Sequence, residues 1–189
     1  MTPRPDEPTS RAVAGLVLAA GAGRRFGRPK APVVIDGERL VDRAVRCLRD
    51  AGCEPVVVVL GAWVGDVPSA QIVVNAGWAE GMGSSLRAGL QALESLPDVT
   101  DALVTLVDLP GLTPAAARRV AESPGVIAVA AYSGVPGHPV RLPRSLWPTV
   151  AAMAIGDEGA RRFLQGRDDI DVVEVGDAAD GDDLDTPTP

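Results

Sequence analysis

Apolar and polar positions follow two patterns along this chain. In six segments Val, Leu, Ile and Ala predominate without regular polar positions, which is typical of strands buried on both faces of a parallel sheet. Between these segments apolar residues recur every three or four positions, which predicts helices with one buried face. The predicted strands are residues 13–18, 55–60, 71–75, 102–107, 125–131 and 170–175, and the main helices are residues 40–51, 84–96 and 113–122.

This alternation predicts the α/β class: a three-layer α/β/α sandwich around a mostly parallel, Rossmann-like sheet. Ligands in such sheets bind at the edge where the strands end, so the segments after residues 18, 75 and 107 are expected to converge. Four shorter pieces complete the pattern. They are extended residues 32–35 and 140–142 and helical residues 146–153 and 157–164, with a turn at residues 36–37 and a loop at residues 134–139.

Length and charge narrow the classes of function. The 189 residues suit one domain, predicted over residues 12–176 between a disordered leader (1–11) and an acidic tail (177–189). The net charge of −7 disfavours binding to nucleic acid or to an anionic membrane, since both need a broad basic surface. The leader has no apolar signal segment, so a cytoplasmic protein is expected, with Cys47 and Cys53 as reduced thiols near the core.

The first predicted strand leads into a loop of small residues, 19–23, followed closely by basic side chains. Small residues allow a backbone to approach an anion, and its N–H groups and nearby cations then neutralise the charge. A phosphate-binding loop is therefore predicted; the alternative is a surface turn with solvated charges. The four basic residues are Arg24, Arg25, Arg28 and Lys30.

Two common phosphate loops do not fit this stretch. Gly21, Gly23 and Gly27 read G-x-G-x-x-x-G, one residue longer than the dinucleotide fingerprint. Lys30 is followed by alanine, whereas the Walker loop requires Ser or Thr there. Neither a dinucleotide fold nor a Walker ATPase is indicated.

Two aspartates are candidate ligands for Mg²⁺, which prefers one or two carboxylates plus substrate phosphate oxygens. Asp108 follows the apolar strand 102–107, and Asp185 lies in the sequence DDLDTP. The alternatives are a turn-forming role for Asp108 before Pro110 and a solvated acidic tail around Asp185.

A second glycine-rich segment, residues 77–85, follows the third strand. It predicts close backbone contact with a base or ribose, with hydrogen bonds from Asn75 and Ser84; the alternative is a flexible loop. Ser84 or Ser85 is the expected N-cap of the next helix. His138, the single histidine, is placed at the rim of the sheet without assignment as a base.

Six motifs resemble known sequences. LAAGAGRRFGRPK at 18–30 resembles the signature of the MobA-like nucleotidyltransferases of the nucleotide-diphospho-sugar transferase type. More narrowly, the set resembles molybdenum cofactor cytidylyltransferase, which joins CMP from CTP to the phosphate of molybdopterin–molybdenum and releases pyrophosphate. The other five motifs are NAGWAEGMGSSLRAGL at 75–90, VDLPGLTP at 107–114, GVPGHPV at 134–140, GDEGARRFL at 156–164 and DLDTP at 183–187.

The resemblance implies roles for individual residues. It implies Arg24, Lys30 and Asp108 as catalytic residues, with Arg24 and Lys30 on the triphosphate. It implies Mg²⁺ as the cofactor, held by Asp108 and Asp185. Ala20, where guanylyl enzymes tend to have Gly, implies the cytidine type. The implied nucleotide contacts are Leu18, Ala19, Ala20, Gly21, Ala22, Gly23, Arg24, Lys30, Asn75, Gly83, Ser84 and Asp108, and the acceptor side is Gly137 and His138.

The implied partners are CTP or another NTP, a small phosphorylated acceptor of the molybdopterin type, and a molybdoenzyme that receives the product. Three alternatives remain open at this point. One is a nucleotidyltransferase with another acceptor, such as a sugar phosphate. Another is a non-catalytic accessory protein for a molybdenum cofactor. The third is an NAD(P)-dependent oxidoreductase, because similar sequences are sometimes labelled nicotine blue oxidoreductase.

Overall fold

A seven-stranded mixed sheet forms the centre of the computed structural model, which describes residues 11–184. The strands are β1 (Val13–Leu18), β2 (Val34–Ile35), β3 (Glu38–Arg39), β4 (Val56–Leu60), β5 (Gln71–Val74), β6 (Asp101–Leu106), β7 (Ile127–Tyr132), β8 (Val135–Pro143) and β9 (Ile170–Glu174). The order of strands in the sheet is β5-β4-β1-β6-β8-β7-β9. A separate antiparallel pair, β2 and β3, is joined by the predicted turn at residues 36–37.

Helices cover both faces of this sheet, as the predicted three-layer architecture requires. Helices α1 and α3 share one apolar cluster with β1 and β4, and the other helices pack on the opposite face. The α-helices are α1 (Leu40–Asp50), α2 (Met82–Glu94), α3 (Pro114–Ala121), α4 (Trp147–Met153) and α5 (Arg161–Leu164), and short 3-10 turns span Trp78–Glu80, Arg144–Leu146 and Gly156–Glu158.

The continuous apolar runs occupy the middle of the sheet. Strands β1, β4 and β6 pair in parallel, and residues such as Leu16, Val17 and Val58 are fully buried because helices cover both faces. Strands β5 and β9 lie at the two edges and are more exposed. The mostly parallel α/β class is therefore confirmed, with the strand order fixed by long-range pairing.

The loop predicted at residues 134–139 is wrong. Residues 135–139 begin β8, which forms a hairpin with β7 through a turn at Ser133 and Gly134, both at positive φ. Pro136 and Pro139 disfavour a strand when only local sequence is considered, because proline cannot donate to a sheet ladder. The first part of β8 pairs with β7 only, however, and β6 joins further along from Val140, so the prolines lie where one side of the strand is unpaired.

Two smaller sequence features behave as expected. Thr113 caps α3 by accepting a hydrogen bond from the N–H of Ala116, with Pro114 at the first helical position. Cys47 and Cys53 are buried free thiols in the core, and burial raises the pKa of each to about 12. Thiols with such pKa values stay protonated near neutral pH and are poor nucleophiles.

Within residues 11–184, no helix is long and apolar enough to cross a membrane. The beginning of the acidic tail packs against the connection between β6 and α3: the N–H of Asp180 donates to the carbonyl of Gly111, and Thr113 donates to the carbonyl of Ala178. These contacts fasten the tail across the segment that carries Asp108.

Candidate functional site

A cleft of about 370 Å³ opens where β1 and β6 end. Its walls come from stretches that are distant in sequence: the loop after β1, the entry to α2, the end of β6 and the 3-10 turn at Gly156–Glu158. The structure thus brings the first loop, part of the second glycine-rich segment and Asp108 together. The lining residues are Leu18, 20–26, Lys30, 78–82, Ser85, 106–108 and Asp157.

The loop after β1 forms a tight turn in which the N–H of Gly27 donates to the carbonyl of Gly23. Phe26 is buried beneath this turn and anchors it, so the loop has a fixed shape. Within residues 11–184, none of the protein's hydrogen bonds uses the N–H groups of Gly21, Ala22 or Gly23. Those groups are available to an anion in the cleft.

The four cations of this loop are not equivalent. Arg24 and Arg25 are exposed and line the cleft, and within the described part of the chain neither guanidinium forms an ion pair. Arg28 lies outside the cleft with its guanidinium 5.9 Å from the ring centroid of Phe26. Two arginines therefore supply positive charge to the cleft, together with Lys30.

Gly23 is expected to tolerate no side chain. It has φ +61°, and an added Cβ would lie 1.9 Å from the carbonyl oxygen of Arg28. Gly23→Ala should therefore distort the loop, destabilise the fold by about 1–3 kcal/mol and weaken nucleotide binding more than about tenfold. Gly27→Ala is the control, because Gly27 also has positive φ but an added Cβ meets nothing within 4 Å. Equal nucleotide affinity of the two variants by calorimetry would contradict this account.

Lys30 and Asp108 form an ion pair at one side of the cleft. The ammonium nitrogen Nζ lies 2.8 Å from Oδ2 of Asp108, and the two side chains are only 14% and 20% exposed. No hydrogen bond between described residues uses Oδ1 of Asp108. The pair places one cation and one carboxylate side by side, where a phosphate and a divalent ion would each find a partner of opposite charge.

Asn75 lies behind the cleft and not on its surface. Its Nδ2 donates to the hydroxyls of Ser84 (2.8 Å) and Ser85 (3.1 Å), and its Oδ1 accepts from the N–H of Gly77 at 2.9 Å. These bonds use both ends of the amide. The geometry therefore favours a positioning role, in which Asn75 fixes the glycine-rich segment on the start of α2, over direct contact with a nucleotide.

The predicted serine N-cap of α2 is wrong. The helix begins at Met82, with Gly81 at the N-cap position and no side-chain cap. Ser84 lies in the first turn, where its hydroxyl is within hydrogen-bond distance of the carbonyls of Gly77 (3.0 Å) and Gly81 (2.8 Å). The helix therefore starts two residues before residue 84, where the sequence pattern placed it.

Two glycines of this segment allow another part of the chain to approach. An added Cβ on Gly81 would lie 2.5 Å from the backbone of Gly156, and one on Gly83 would lie 2.6 Å from the backbone of Ala154. Gly81 also has φ +108°, which favours glycine. The turn carrying Asp157 is thereby held against the entry to α2, and Gly83 itself does not line the cleft.

Sequence reasoning did not select several lining residues. Trp78, Met82 and Asp157 were given no role, and Ser85 was considered only as an N-cap, although all four line the cleft. Asp157 belongs to a quoted motif, but its place beside residues 75 positions earlier follows only from tertiary packing. The only local signal for a role of Asp157 was the sequence GDEG at residues 156–159, in which two acidic residues lie between glycines.

The acceptor-side prediction falls on the hairpin of β7 and β8. The hydroxyl of Tyr132 donates to the carbonyl of His138 at 2.7 Å, and Gly137 lies against the Tyr132 ring. Burial lowers the pKa of His138 to about 4, while the negative charge of Asp108 opposes that shift. His138 is therefore near Asp108 and neutral at pH 7, so it offers hydrogen bonds and not positive charge.

The His138 imidazole is expected to titrate near pH 4 and not near 6.5 in metal-free protein. Because the neutral form is favoured in the folded state, the free energy of unfolding should be fully present above pH 6.5 and fall by up to about 3 kcal/mol toward pH 4. A two-dimensional NMR titration follows this single histidine directly, with His138→Gln to assign its signal. A midpoint of 6 or above would contradict the burial that the structure shows.

Asp185 lies outside the described residues. Its neighbour Leu184 donates its N–H to the carbonyl of Asp108 at 2.9 Å, so the described chain ends beside the candidate ligand. Within residues 11–184 there is no cluster of three or more His, Cys, Asp or Glu side chains able to hold a metal. The role predicted for Asp185 stays a prediction.

Comparisons with known proteins agree with this geometry. Residues 15–172 match the family model described as MobA-like NTP transferase domain. Nicotine blue oxidoreductase of Paenarthrobacter nicotinovorans is 40% identical, over 92% of this chain and 92% of that protein. A molybdenum cofactor guanylyltransferase of Rhizobium johnstonii is 32% identical, over 74% of this chain and 65% of that protein.

Solved structures share the architecture as well as the sequence pattern. The crystal structure of Rv0371c from Mycobacterium tuberculosis H37Rv matches with a TM-score of 0.77 and 27% identity, covering 94% of this chain and 95% of that one. More distant matches to solved nucleotidyltransferases confirm the predicted nucleotide-diphospho-sugar transferase type of fold.

Proposed function

Because this chain belongs to the MobA-like NTP transferase family, we propose that it transfers CMP from CTP to the phosphate of a molybdopterin-type cofactor and releases pyrophosphate. Nucleotidyl transfer as the reaction class follows from the family. The cytidine base, the magnesium ion and the acceptor are the specific parts of the proposal. A molybdoenzyme that receives the product is a further expected partner.

One observation carries the proposal: a glycine-rich cationic loop and the Asp108 carboxylate line the same cleft. Nucleotidyl transfer needs little covalent help from a protein. It needs the triphosphate neutralised, the attacking and leaving oxygens held in line, and water excluded. The first need is met by the cations of Arg24, Arg25 and Lys30 and by the N–H groups of residues 21–23, which no hydrogen bond in the described chain uses.

The proposed transfer is direct and needs no covalent enzyme intermediate. A phosphate oxygen of the acceptor attacks the α-phosphorus of CTP, one P–O bond forms, and the bond to the β-phosphate breaks. Pyrophosphate carries the negative charge away, and Lys30 and Arg24 stabilise that charge as it develops. The chain's own contribution is therefore positioning and charge neutralisation.

The residues fit a magnesium ion. Asp108 offers a carboxylate with one oxygen that no hydrogen bond between residues 11–184 uses. Mg²⁺ requires only one or two carboxylates when phosphate oxygens complete its shell. Asp108, with Asp185 as the predicted second ligand, would hold the ion. When bound, it would supply positive charge that neutralises the negative charge of the phosphates.

The cytidine base is supported by Ala20. Ala20 lines the cleft and is 2% exposed. Its methyl group packs tightly against Gly61, because a Cβ added to Gly61 would lie only 2.8 Å from the Cβ of Ala20. Guanylyl enzymes of the family tend to have Gly at this position, so the alanine supports the cytidine type. Ala20→Gly is expected to raise the affinity for GTP relative to CTP. The guanylyltransferase similarity makes GTP the main rival donor.

The second candidate is an oxidoreductase, favoured by the name of the 40% identical relative. Dinucleotide sites of the Rossmann type place the pyrophosphate at the start of a helix that directly follows the first strand. Here, in the described chain, β1 leads into a turn and the β2–β3 hairpin, and the first α-helix starts only at Leu40. The geometry therefore favours a triphosphate over NAD(P)H.

A thermal-shift panel of CTP, GTP, UTP, ATP and NADPH, with and without Mg²⁺, names the ligand, because ligands that bind the native state raise its apparent stability. The expected result is the largest shift with CTP and Mg²⁺, and pyrophosphate release from CTP once Mo-molybdopterin is added. Release with a sugar phosphate alone would replace the acceptor. CTP binding without turnover would support an accessory role, and a shift with NADPH alone would support the oxidoreductase.

A further inference from the structure

We infer that Asp157 binds the ribose hydroxyls of the donor nucleotide. This inference deepens the proposed function and rests on it. Asp157 lines the cleft together with the loop after β1, although it lies in the 3-10 turn Gly156–Glu158, far from that loop along the chain. No role was assigned to it by the motif resemblance.

The carboxylate of Asp157 is available to a ligand. Its only hydrogen bond in the described chain is a long one of 3.4 Å, from the N–H of Met82 to Oδ1. Among the residues that the structure describes, no cation forms an ion pair with it, and its side chain is exposed. The next acidic residue, Glu158, belongs to the same turn but does not line the cleft.

Charge decides which part of a nucleotide this carboxylate meets. An ionised carboxylate only accepts hydrogen bonds, and it repels phosphate oxygens. The phosphates are drawn to the cationic loop at residues 21–30, so Asp157 faces a neutral part of the ligand that carries donors. The ribose offers two adjacent hydroxyls, which a carboxylate with two oxygens matches.

The fold holds Asp157 close to the start of α2. An added Cβ at Gly81 would lie 2.6 Å from Oδ1 of Asp157, so only a glycine leaves the carboxylate its space. The guanidinium of Arg87 also donates a hydrogen bond to the carbonyl of Ala154, which fixes the backbone segment that leads into the turn. The backbone that carries Asp157 is thus held by packing against the start of α2.

The test compares CTP with 2′-deoxy-CTP and 3′-deoxy-CTP by calorimetry, with Mg²⁺ and without acceptor. The intact protein is expected to prefer CTP over at least one deoxy analogue by about 10-fold to 100-fold, the range of a hydrogen bond to a charged group. Asp157→Ala should lose that preference by weakening CTP binding alone. Glu158→Gln, a change of charge in the same turn, should keep it.

Several outcomes would overturn the inference. Equal weakening of CTP and both deoxy analogues in Asp157→Ala would mean a purely structural role. A changed ratio of CTP to UTP with the deoxy preference intact would place Asp157 on the base, and a changed Mg²⁺ requirement would make it a metal ligand. An intact protein that binds no nucleoside triphosphate would instead refute the proposed function itself.

Discussion

Lys30→Met is expected to weaken CTP binding about 10-fold to 100-fold, because it removes a charge-assisted hydrogen bond to phosphate worth about 1.5–3 kcal/mol. Turnover should fall further, by about 100-fold to 1,000-fold, since charge that develops on the leaving pyrophosphate also loses its partner. Calorimetry with CTP and a pyrophosphate-release assay measure the two effects. Lys30 is 14% exposed and bonded to Asp108, so a loss of about 1–2 kcal/mol in stability is expected as well.

Arg28→Met is the matched control for Lys30→Met. It removes the same unit of charge from the same loop, but Arg28 lies outside the cleft and stacks near Phe26. Its CTP affinity should change by less than about threefold, because a solvated charge at a distance is screened by salt. If both variants lost affinity equally, net charge would explain the effect and a specific phosphate contact by Lys30 would be excluded.

Asp108→Asn is expected to separate binding from turnover. The substitution keeps the shape of the side chain and an oxygen that accepts from Lys30, so the fold should lose no more than about 1–2 kcal/mol. Turnover with Mg²⁺ should fall by about 1,000-fold or more, as expected when a charged partner of the reacting phosphates is lost. In metal-free buffer CTP should bind as tightly as before or tighter, because a negative charge has been removed from the cleft.

The control for Asp108→Asn is Asp98→Asn. Asp98 is exposed and precedes β6, whereas Asp108 follows it, so the same change of charge is placed at the opposite end of one strand. This control should leave CTP binding and turnover unchanged. Full Mg²⁺-dependent turnover in Asp108→Asn would remove Asp108 from the proposed site, while weaker metal-free binding of CTP would mean that its main role is to hold Lys30.

The arrangement of the sheet could be predicted in part from local pattern. Runs such as those of β1 and β4 indicated buried parallel strands because helices must cover both faces of such strands. The β7–β8 hairpin was missed because its prolines argue against a strand when only neighbouring residues are considered. Whether a proline is tolerated depends on which side of the strand is paired, and that is set by β6 through long-range contact.

For the candidate site, sequence alone determined the chemistry at the ends of the strands. Small residues and cations after β1, and Asp108 after β6, could be recognised because the carboxyl ends of parallel strands share one edge. Only the tertiary structure decided which partners those groups contact. It paired Lys30 with Asp108, turned the Asn75 amide inward onto Ser84 and Ser85, and brought Asp157 beside Gly81. Such contacts join residues far apart in the chain, and no local pattern of residues encodes which of them meet.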